Sequence, residues 1–552
     1  MDNIENAIQI IKGYSGFSNI RIAGENRILF TYENKEFAVN ISKGECDYPE
    51  VYVHGNADSV FPHVMLEPDS EGWRYVCIRR NEQYINFLFS FDEKIKDLCQ
   101  RIVVLFGLSS DQQHREWNKE FMFYWRSAEI SIYPAEVFLG AEDNKFFTLN
   151  VYRNAEEAAL RLVKPGIKLN DMGKRVKKRH WMHCPDFFAV YIPLVSADGL
   201  RPPFPNHRWD ATYLLDILEN NAYKYLPADC KEWLDIAKGK GLYIFFLLGI
   251  PINGRREFCL IRLRSLILEN DLILRKIKRN PQLDIYPCNR LDYEYLSMCI
   301  GNDVSLTGKK ALVIGAGSLG SYLCEEITKA GIKDLAIFDP DILAKENTFR
   351  WSSPVRSGYY VSKAVYLKML LERVNPEIFV EAFDKEMTQD ELTATCNQFD
   401  IIFIAVGSSD FQFMANKALK ESHYQGWVIF VWLEAGGVFS HILCVNYNFP
   451  GCYQCLFTRG NGEITSNRYE NKFDETNLKD IFIDNACGGT RAVYGNAILL
   501  RTVAALLVCI KRLFSGKLKS NILLNISPNE IIDEGDDFAQ GKCRCCGDKS
   551  AQ

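Results

Sequence analysis

Apolar residues at Ile4, Ile8 and Ile11 recur at helical spacing and predict an amphipathic helix over residues 1–14. Three runs of strand-like composition follow at 27–32, 36–41 and 50–53, with short polar separators, the pattern of a hairpin meander. The next stretch, FPHVMLEPDSEGWRYVCI, holds two prolines and a glycine, reads as irregular, and carries Cys77 near its end. Helical patterns at 92–106 and 113–127 close this part, so residues 1–130 read as an α+β domain.

Residues 131–300 are less periodic. Strand patterns stand at 187–195 and 242–250, and PFPNHRWDATYLLDIL starts a helix after a proline-rich turn, which gives an α/β middle region. Residues 301–552 alternate more clearly: a strand at 310–314, a helix at 321–330, a strand at 335–338, a helix near 362–374 and a strand at 400–406. That alternation predicts a parallel, doubly wound sheet with helices on both faces. The whole chain is expected to be an α/β multidomain protein.

Composition narrows the field. The 552 residues are 47% apolar and 24% charged, which excludes a disordered or fibrous chain and suggests three or four domains. A net charge of −5 argues against a nucleic-acid surface, and the basic run Lys174, Arg175, Lys177, Lys178, Arg179 reads as a solvated face or linker. The apolar stretch AILLRTVAALLVCI carries Arg501 and reads as a buried helix, so no membrane association is expected. The first residues do not have the layout of a targeting segment. Eighteen cysteines then point to a reducing, cytoplasmic setting in which thiols bind metal, act as nucleophiles or fill core.

Gly315-Ala-Gly317-Ser-Leu-Gly320 follows a predicted strand and opens a predicted helix. Glycines there let backbone N–H groups approach phosphate at a helix N-terminus. Asp339, 19 residues beyond Gly320 at the end of the next strand, suits ribose hydroxyls. The pair indicates an adenine nucleotide and leaves NAD and ATP open. Asn347, Arg350 and Lys363 follow. Several donors and cations favour a triphosphate, whose charge must be neutralised as pyrophosphate leaves, over hydride transfer. Cys452 and Cys455 form one CxxC pair and Cys543 and Cys546 another, the ligand set of a structural Zn2+ site, with Cys545 spare. Cys487 precedes two glycines and a long apolar helix, a setting that favours a thiolate.

In order, GAGSLG, FDPD, ENTFR, SKA, GCYQC, ACGG and CRCC resemble the ThiF/MoeB/HesA family of ubiquitin-activating-type adenylyltransferases, over roughly residues 300–550. The resemblance implies a Rossmann-like adenylation domain at 301–552. It would use ATP and Mg2+ to adenylate the C-terminal glycine of a small protein, with Cys487 forming a thioester. Gly315, Gly317 and Gly320 would face phosphate, Asp339 the ribose, and Asn347, Arg350 and Lys363 the triphosphate. The chain departs from the family at Gly407-Ser-Ser-Asp410, where Asp410 stands near the family's magnesium-serving Asp. Residues 1–130 resemble a ubiquitin-conjugating enzyme: Phe61-Pro62-His63 is similar to its His-Pro-Asn signature without the Asn, and Cys77 takes the place of its acceptor thiol. The order of the parts resembles fused enzymes of bacterial cyclic-oligonucleotide-based antiphage signalling (CBASS) operons. The acyl substrate there is the operon's cyclic oligonucleotide synthase. A ubiquitin-like protein is the alternative substrate, and the final acceptor would be a target amine. The family implies a homodimer whose partner lends an arginine, with Arg290 as a candidate. The rival classes are an NAD-dependent oxidoreductase and a non-catalytic scaffold.

Overall fold

A computed structural model describes residues 2–41, 47–55, 61–65, 67–78, 88–127, 134–140, 145–154, 159–172, 181–185, 187–197, 200–203, 209–210, 213–214, 217, 243–252, 254–263, 283–301, 306–353, 361–470, 482–485 and 489–547. The chain divides into two compact units. One comprises Met1–Phe138, Glu142–Pro165 and Lys177–Arg290, the other Leu139–Ala141, Gly166–Val176 and Leu291–Gln552.

The first unit begins with α1 (Asp2–Lys12) and a five-stranded antiparallel meander, β1 (Ser18–Ile22), β2 (Arg27–Tyr32), β3 (Lys35–Asn40), β4 (Glu50–His54) and β5 (Trp73–Val76), in that spatial order. Alternation along β2 buries Ile28, Phe30 and Tyr32, which pack with Ala7 and Ile11 of α1 and Ile95, Leu98 and Ile102 of α2 (Phe91–Phe106). A Ser90–Glu93 capping box starts α2 and satisfies otherwise orphaned N–H groups. The stretch read as irregular contains β5, because burial of Trp73 and Val76 draws it onto β4. The helix expected over 113–127 is two, α3 (Ser110–Lys119) and α4 (Phe121–Ser127). No residue of α3 is buried, whereas Phe121, Tyr124 and Trp125 of α4 are. The chain turns at Glu120 to bury those rings.

A nine-stranded mixed sheet follows: β6 (Ala135–Phe138), β7 (Phe147–Asn154), β8 (Leu160–Val163), β9 (Trp181–His183), β10 (Phe187–Pro193), β11 (Tyr243–Ile252), β12 (Arg255–Leu263), β13 (Leu283–Tyr286) and β14 (Cys288–Arg290). β10 and β11 run parallel and both read as near-continuous apolar runs, as strands covered on both faces do. The helix expected from PFPNHRWDATYLLDIL lies largely outside the described residues, as does the basic run at 174–179.

The second unit is built on an eight-stranded sheet. Its elements are α5 (Tyr293–Cys299), β15 (Lys310–Ile314), α6 (Ser318–Ala330), β16 (Asp334–Phe338), α7 (Lys363–Val374), β17 (Phe379–Phe383), α8 (Gln389–Thr395), β18 (Ile401–Ile404), α9 (Ser409–Glu421), β19 (Trp427–Leu433), β20 (Ser440–Val445), a ribbon of β21 (Phe482–Asn485) and β22 (Gly489–Ala492), α10 (Asn496–Phe514), β23 (Ile522–Ile526) and β24 (Ile531–Asp533). The sheet order is β17-β16-β15-β18-β19-β20-β23-β24, the first five strands parallel and the rest antiparallel. Residues of α6, α7 and α10 fill the core on one face, and residues of α8 and α9 fill it on the other. The chain therefore winds outward from β15 in both directions, and the crevice between β15 and β18 is its topological switch point. The α10 helix, expected to be buried, is buried on one face only. Leu500 and Val508 are exposed, and Arg501 reaches the Pro528 carbonyl at 3.2 Å. No helix among the described residues is long and apolar enough to cross a membrane.

Candidate active site

The glycine loop sits at the C-terminal end of β15, at the switch point. Gly315 has φ +101°, and a Cβ on it would lie 2.7 Å from the Ala405 carbonyl oxygen, in the loop after β18. A Cβ on Gly320 would lie 1.9 Å from the Gly315 oxygen. These two glycines are required by the fold itself, so that α6 can pack against the loop. Gly317 differs: nothing lies within 4 Å of where its Cβ would be. It is the N-cap of α6 and makes no side-chain cap, so the first N–H groups of the helix face an open cradle. That cradle fits a phosphate.

Asp339 follows β16. Its carboxylate accepts the Ala316 N–H at 2.6 Å and the Asp341 N–H at 2.9 Å, which ties the acid to the loop. Burial pushes its carboxyl above the usual range, partly countered by the Lys363 cation and these two N–H groups. Lys363 begins α7, is 7% exposed, and donates to Asp341 at 2.6 Å. Asn347 is buried in a short turn where its side-chain oxygen accepts the Ala344 N–H at 2.9 Å. Arg350 lies against the loop: its carbonyl accepts the Ser318 hydroxyl at 2.6 Å, and the next residue, Trp351, donates its indole N–H to the Ala316 carbonyl at 2.9 Å. Gly315, Gly317, Gly320, Asp339, Asn347, Arg350 and Lys363 thus belong to one connected group of loops at the ends of β15 and β16. Asp410 is exposed in the first turn of α9, which follows the neighbouring strand β18. Trp351 and Ser318 were not singled out from sequence. Their positions beside Arg350 and Gly317 were the only signal.

The four cysteines of the CxxC pairs converge. The sulfurs of Cys452, Cys455, Cys543 and Cys546 lie within 4.8 Å of one another, with Cys452–Cys543 at 3.8 Å and Cys455–Cys546 at 3.3 Å. Four thiolates at about 2.3 Å from one tetrahedral ion would sit about 3.8 Å apart, so the set fits zinc. The Asn416 amide of α9 donates to Cys452 at 3.6 Å and to Cys545 at 3.2 Å. Sequence spacing gives no hint of that contact, which spans 129 residues. No disulfide joins any of the described cysteines.

Cys77, in the first unit, is exposed one residue beyond β5, and its N–H donates to the His63 carbonyl at 2.7 Å. His63 is itself held by two acids that sequence reading passed over, Glu116 and Glu120. Arg290 is buried on β14 over the Phe258 ring. Cys487 lies outside the described residues.

Comparison with known proteins places the second unit. Residues 300–531 match the ThiF family model, which is less than half of the chain, and this part has the Rossmann-like, doubly wound fold described above. The chain is 27% identical over 161 residues to the adenylyltransferase and sulfurtransferase MOCS3 of Dictyostelium discoideum, covering 29% of this chain and 36% of that protein. It is 23% identical over 224 residues to the adenylyltransferase and sulfurtransferase UBA4 of Scheffersomyces stipitis, covering 38% and 49%. The molybdopterin-synthase adenylyltransferase of Haemophilus influenzae is 27% identical over 97 residues, 18% of this chain and 40% of that one. The chain therefore spans half or less of these relatives' length. Among solved structures, E. coli MccB matches with a TM-score of 0.35 at 16% identity, over 44% of this chain and 68% of that one.

Proposed function

We propose that this chain is an ATP-dependent adenylyltransferase acting on the C-terminal glycine carboxylate of a small protein. The observation that carries the reading is the open Gly317 cradle with Asp339, Arg350 and Lys363 in one connected group of loops at the ends of β15 and β16, within the ThiF-matching residues. The loop of Gly315, Gly317 and Gly320 faces phosphate through N–H groups at the start of α6, the Gly315 N–H itself being donated to the Phe338 carbonyl at 2.8 Å, and Asp339 holds ribose hydroxyls. Asn347, Arg350 and Lys363 face the triphosphate. The substrate carboxylate attacks the α-phosphorus as the bond to the β-phosphate oxygen breaks and pyrophosphate leaves. Arg350 and Lys363 offset the negative charge that builds on the leaving group. Magnesium, when bound, shields phosphate charge, and Asp410 is the carboxylate assigned to it. Cys452, Cys455, Cys543 and Cys546 would hold zinc and tie the segment near 540 to the sheet.

The later steps use two thiols. The Cys487 thiolate attacks the acyl adenylate, forming a thioester as AMP leaves. Cys77, on a domain of ubiquitin-conjugating type, takes the acyl group by thioester exchange. A target amine then displaces the Cys77 thiolate, losing its proton, to give the amide. The acyl substrate we favour is the cyclic oligonucleotide synthase of a CBASS operon, with a ubiquitin-like protein as the other candidate. The enzyme acts as a cytoplasmic homodimer. ATP–pyrophosphate exchange with a small protein ending in glycine tests the core of this reading. Arg350→Ala should lower exchange by a factor of about 30 or more, the equivalent of about 2–4 kcal/mol of lost charge stabilisation. Exchange at the wild-type rate in that variant would refute it.

A further inference from the structure

We infer that His63, clamped by Glu116 and Glu120, is the positioning residue for the Cys77 thiol, acting through its own backbone carbonyl. The inference rests on the reading of Cys77 as acyl acceptor and adds to it the device that places the thiol.

β5 is the edge strand of its sheet. Beyond it, the chain from 63 to 65 supplies a short extra rung: Cys77 N–H donates to the His63 carbonyl at 2.7 Å, Val64 bridges Val76, and Met65 N–H donates to the Tyr75 carbonyl at 2.9 Å. So short a rung cannot hold itself, and His63 has φ +65°, a conformation disfavoured for a residue with a Cβ. The restraint comes from the helices. Glu120 accepts the His63 N–H at 3.1 Å and its Nδ1 at 2.6 Å, and Glu116 accepts Nε2 at 3.2 Å. The Tyr124 hydroxyl of α4 reaches the Phe61 and Val64 carbonyls at 3.4 and 3.5 Å.

Both ring nitrogens therefore face carboxylate oxygens, which makes both of them donors. The ring has no N–H left for an acyl oxygen, so His63 does not replace the amide of the Asn that the His-Pro-Asn signature would carry. Its contribution to Cys77 runs through the carbonyl. The groups facing the ring are Glu116 and Glu120, with Lys119 paired to Glu116 at 2.6 Å; Tyr124 of α4 approaches the backbone of this rung, and Tyr75 and Cys77 meet it through their own backbones. Burial lowers the His63 basicity, but the hydrogen bonds and charges of Glu120 and Glu116 outweigh it and leave the imidazole more basic than usual. The clasp is complete below the ordinary histidine range and opens as pH rises through the raised value.

The test is the rate of iodoacetamide alkylation at Cys77, read by mass spectrometry of its peptide, against pH in the full chain. The wild type should show two inflections, one from the thiol and one from the clasp. His63→Gln should lose the second. Glu120→Gln keeps an acceptor oxygen but removes the charge, so it should fold and should move that inflection to lower pH, a shift that a purely structural role does not produce. In acyl transfer, His63→Gln should lower kcat about tenfold with KM for the target amine little changed. A Cys77 alkylation profile identical to wild type in both His63→Gln and Glu120→Gln would overturn the inference. Loss of the acceptor role itself is read separately: product formed by Cys77→Ala at the wild-type rate would remove the acyl-transfer reading, whatever the alkylation profiles show.

Discussion

Lys363→Met replaces a buried cation with a side chain of similar length and no charge. Lys363 is 7% exposed, donates to Asp341 at 2.6 Å, and sits close enough to lower the pKa of buried Asp339. At an effective dielectric of about 20, a unit charge about 4 Å away is worth about 4 kcal/mol. Part of that is already spent on Asp341, whose own carboxylate is largely exposed. The fraction left for a developing pyrophosphate is about 2–4 kcal/mol, a factor of roughly 30 to 900 in rate. The assay is ATP–pyrophosphate exchange with a small protein ending in glycine, run beside a direct titration of ATP binding. Exchange should fall by that factor, and ATP affinity by much less, because the charge matters most as the bond breaks. The same variant has a second consequence. Burial already raises the Asp339 carboxyl, and Lys363 holds that rise in check. In the variant the native state therefore binds a proton to still higher pH than the unfolded chain does. Its stability falls with rising pH over a wider window above the ordinary Asp range. ATP affinity should weaken toward acid pH more steeply than in the wild type. Wild-type exchange rates, or no change in either pH profile, would show that Lys363 does not face the nucleotide.

Three further outcomes follow from the same geometry. Gly320→Ala places a Cβ 1.9 Å from the Gly315 oxygen, so the loop must shift and ATP binding measured by calorimetry should be lost, whereas Gly317→Ala, with open space around it, should keep the fold and lose affinity only where phosphate approaches. Cys452→Ser or Cys543→Ser should lower zinc content by elemental analysis and lower the melting temperature, while Cys545→Ser leaves the zinc in place; a folded wild-type protein without zinc would refute the assignment. Cys487→Ala should exchange pyrophosphate but form no thiol-sensitive adduct on non-reducing gels, and Cys77→Ala should form the adduct yet make no product; the reverse pattern would invert the order of the relay.

What the sequence disclosed, and what it hid, divides along the distance over which each feature is specified. The glycine loop, the acid after β16 and the lysine opening α7 are legible because strand, turn and helix signals fix them within about twenty residues. Gly320 must be a glycine for a purely local reason, the approach of α6 to its own loop. The break at Glu120 was illegible because no proline or glycine marks it. It follows from burial of Phe121, Tyr124 and Trp125, which only the assembled unit supplies. β5 was hidden likewise, since its partner strand and its buried Trp73 outweigh the turn residues before it.

The same division explains why the site around Cys77 reads so differently from the nucleotide crevice. Phosphate recognition uses backbone N–H groups, whose placement a motif can encode. Holding a thiol at a sheet edge uses side chains from elsewhere: Glu116 and Glu120 lie 53 and 57 residues beyond His63. A single chain can therefore match a family model over its glycine loop while the surroundings of Cys77 are set by contacts that no motif encodes. Here a left-handed histidine, whose carbonyl accepts the Cys77 N–H, is held by two glutamates. Such a clasp costs backbone strain and is kept only where the carboxylates over-determine it. A single Glu→Gln change is expected to upset that balance, since one lost charge weakens the ring contact.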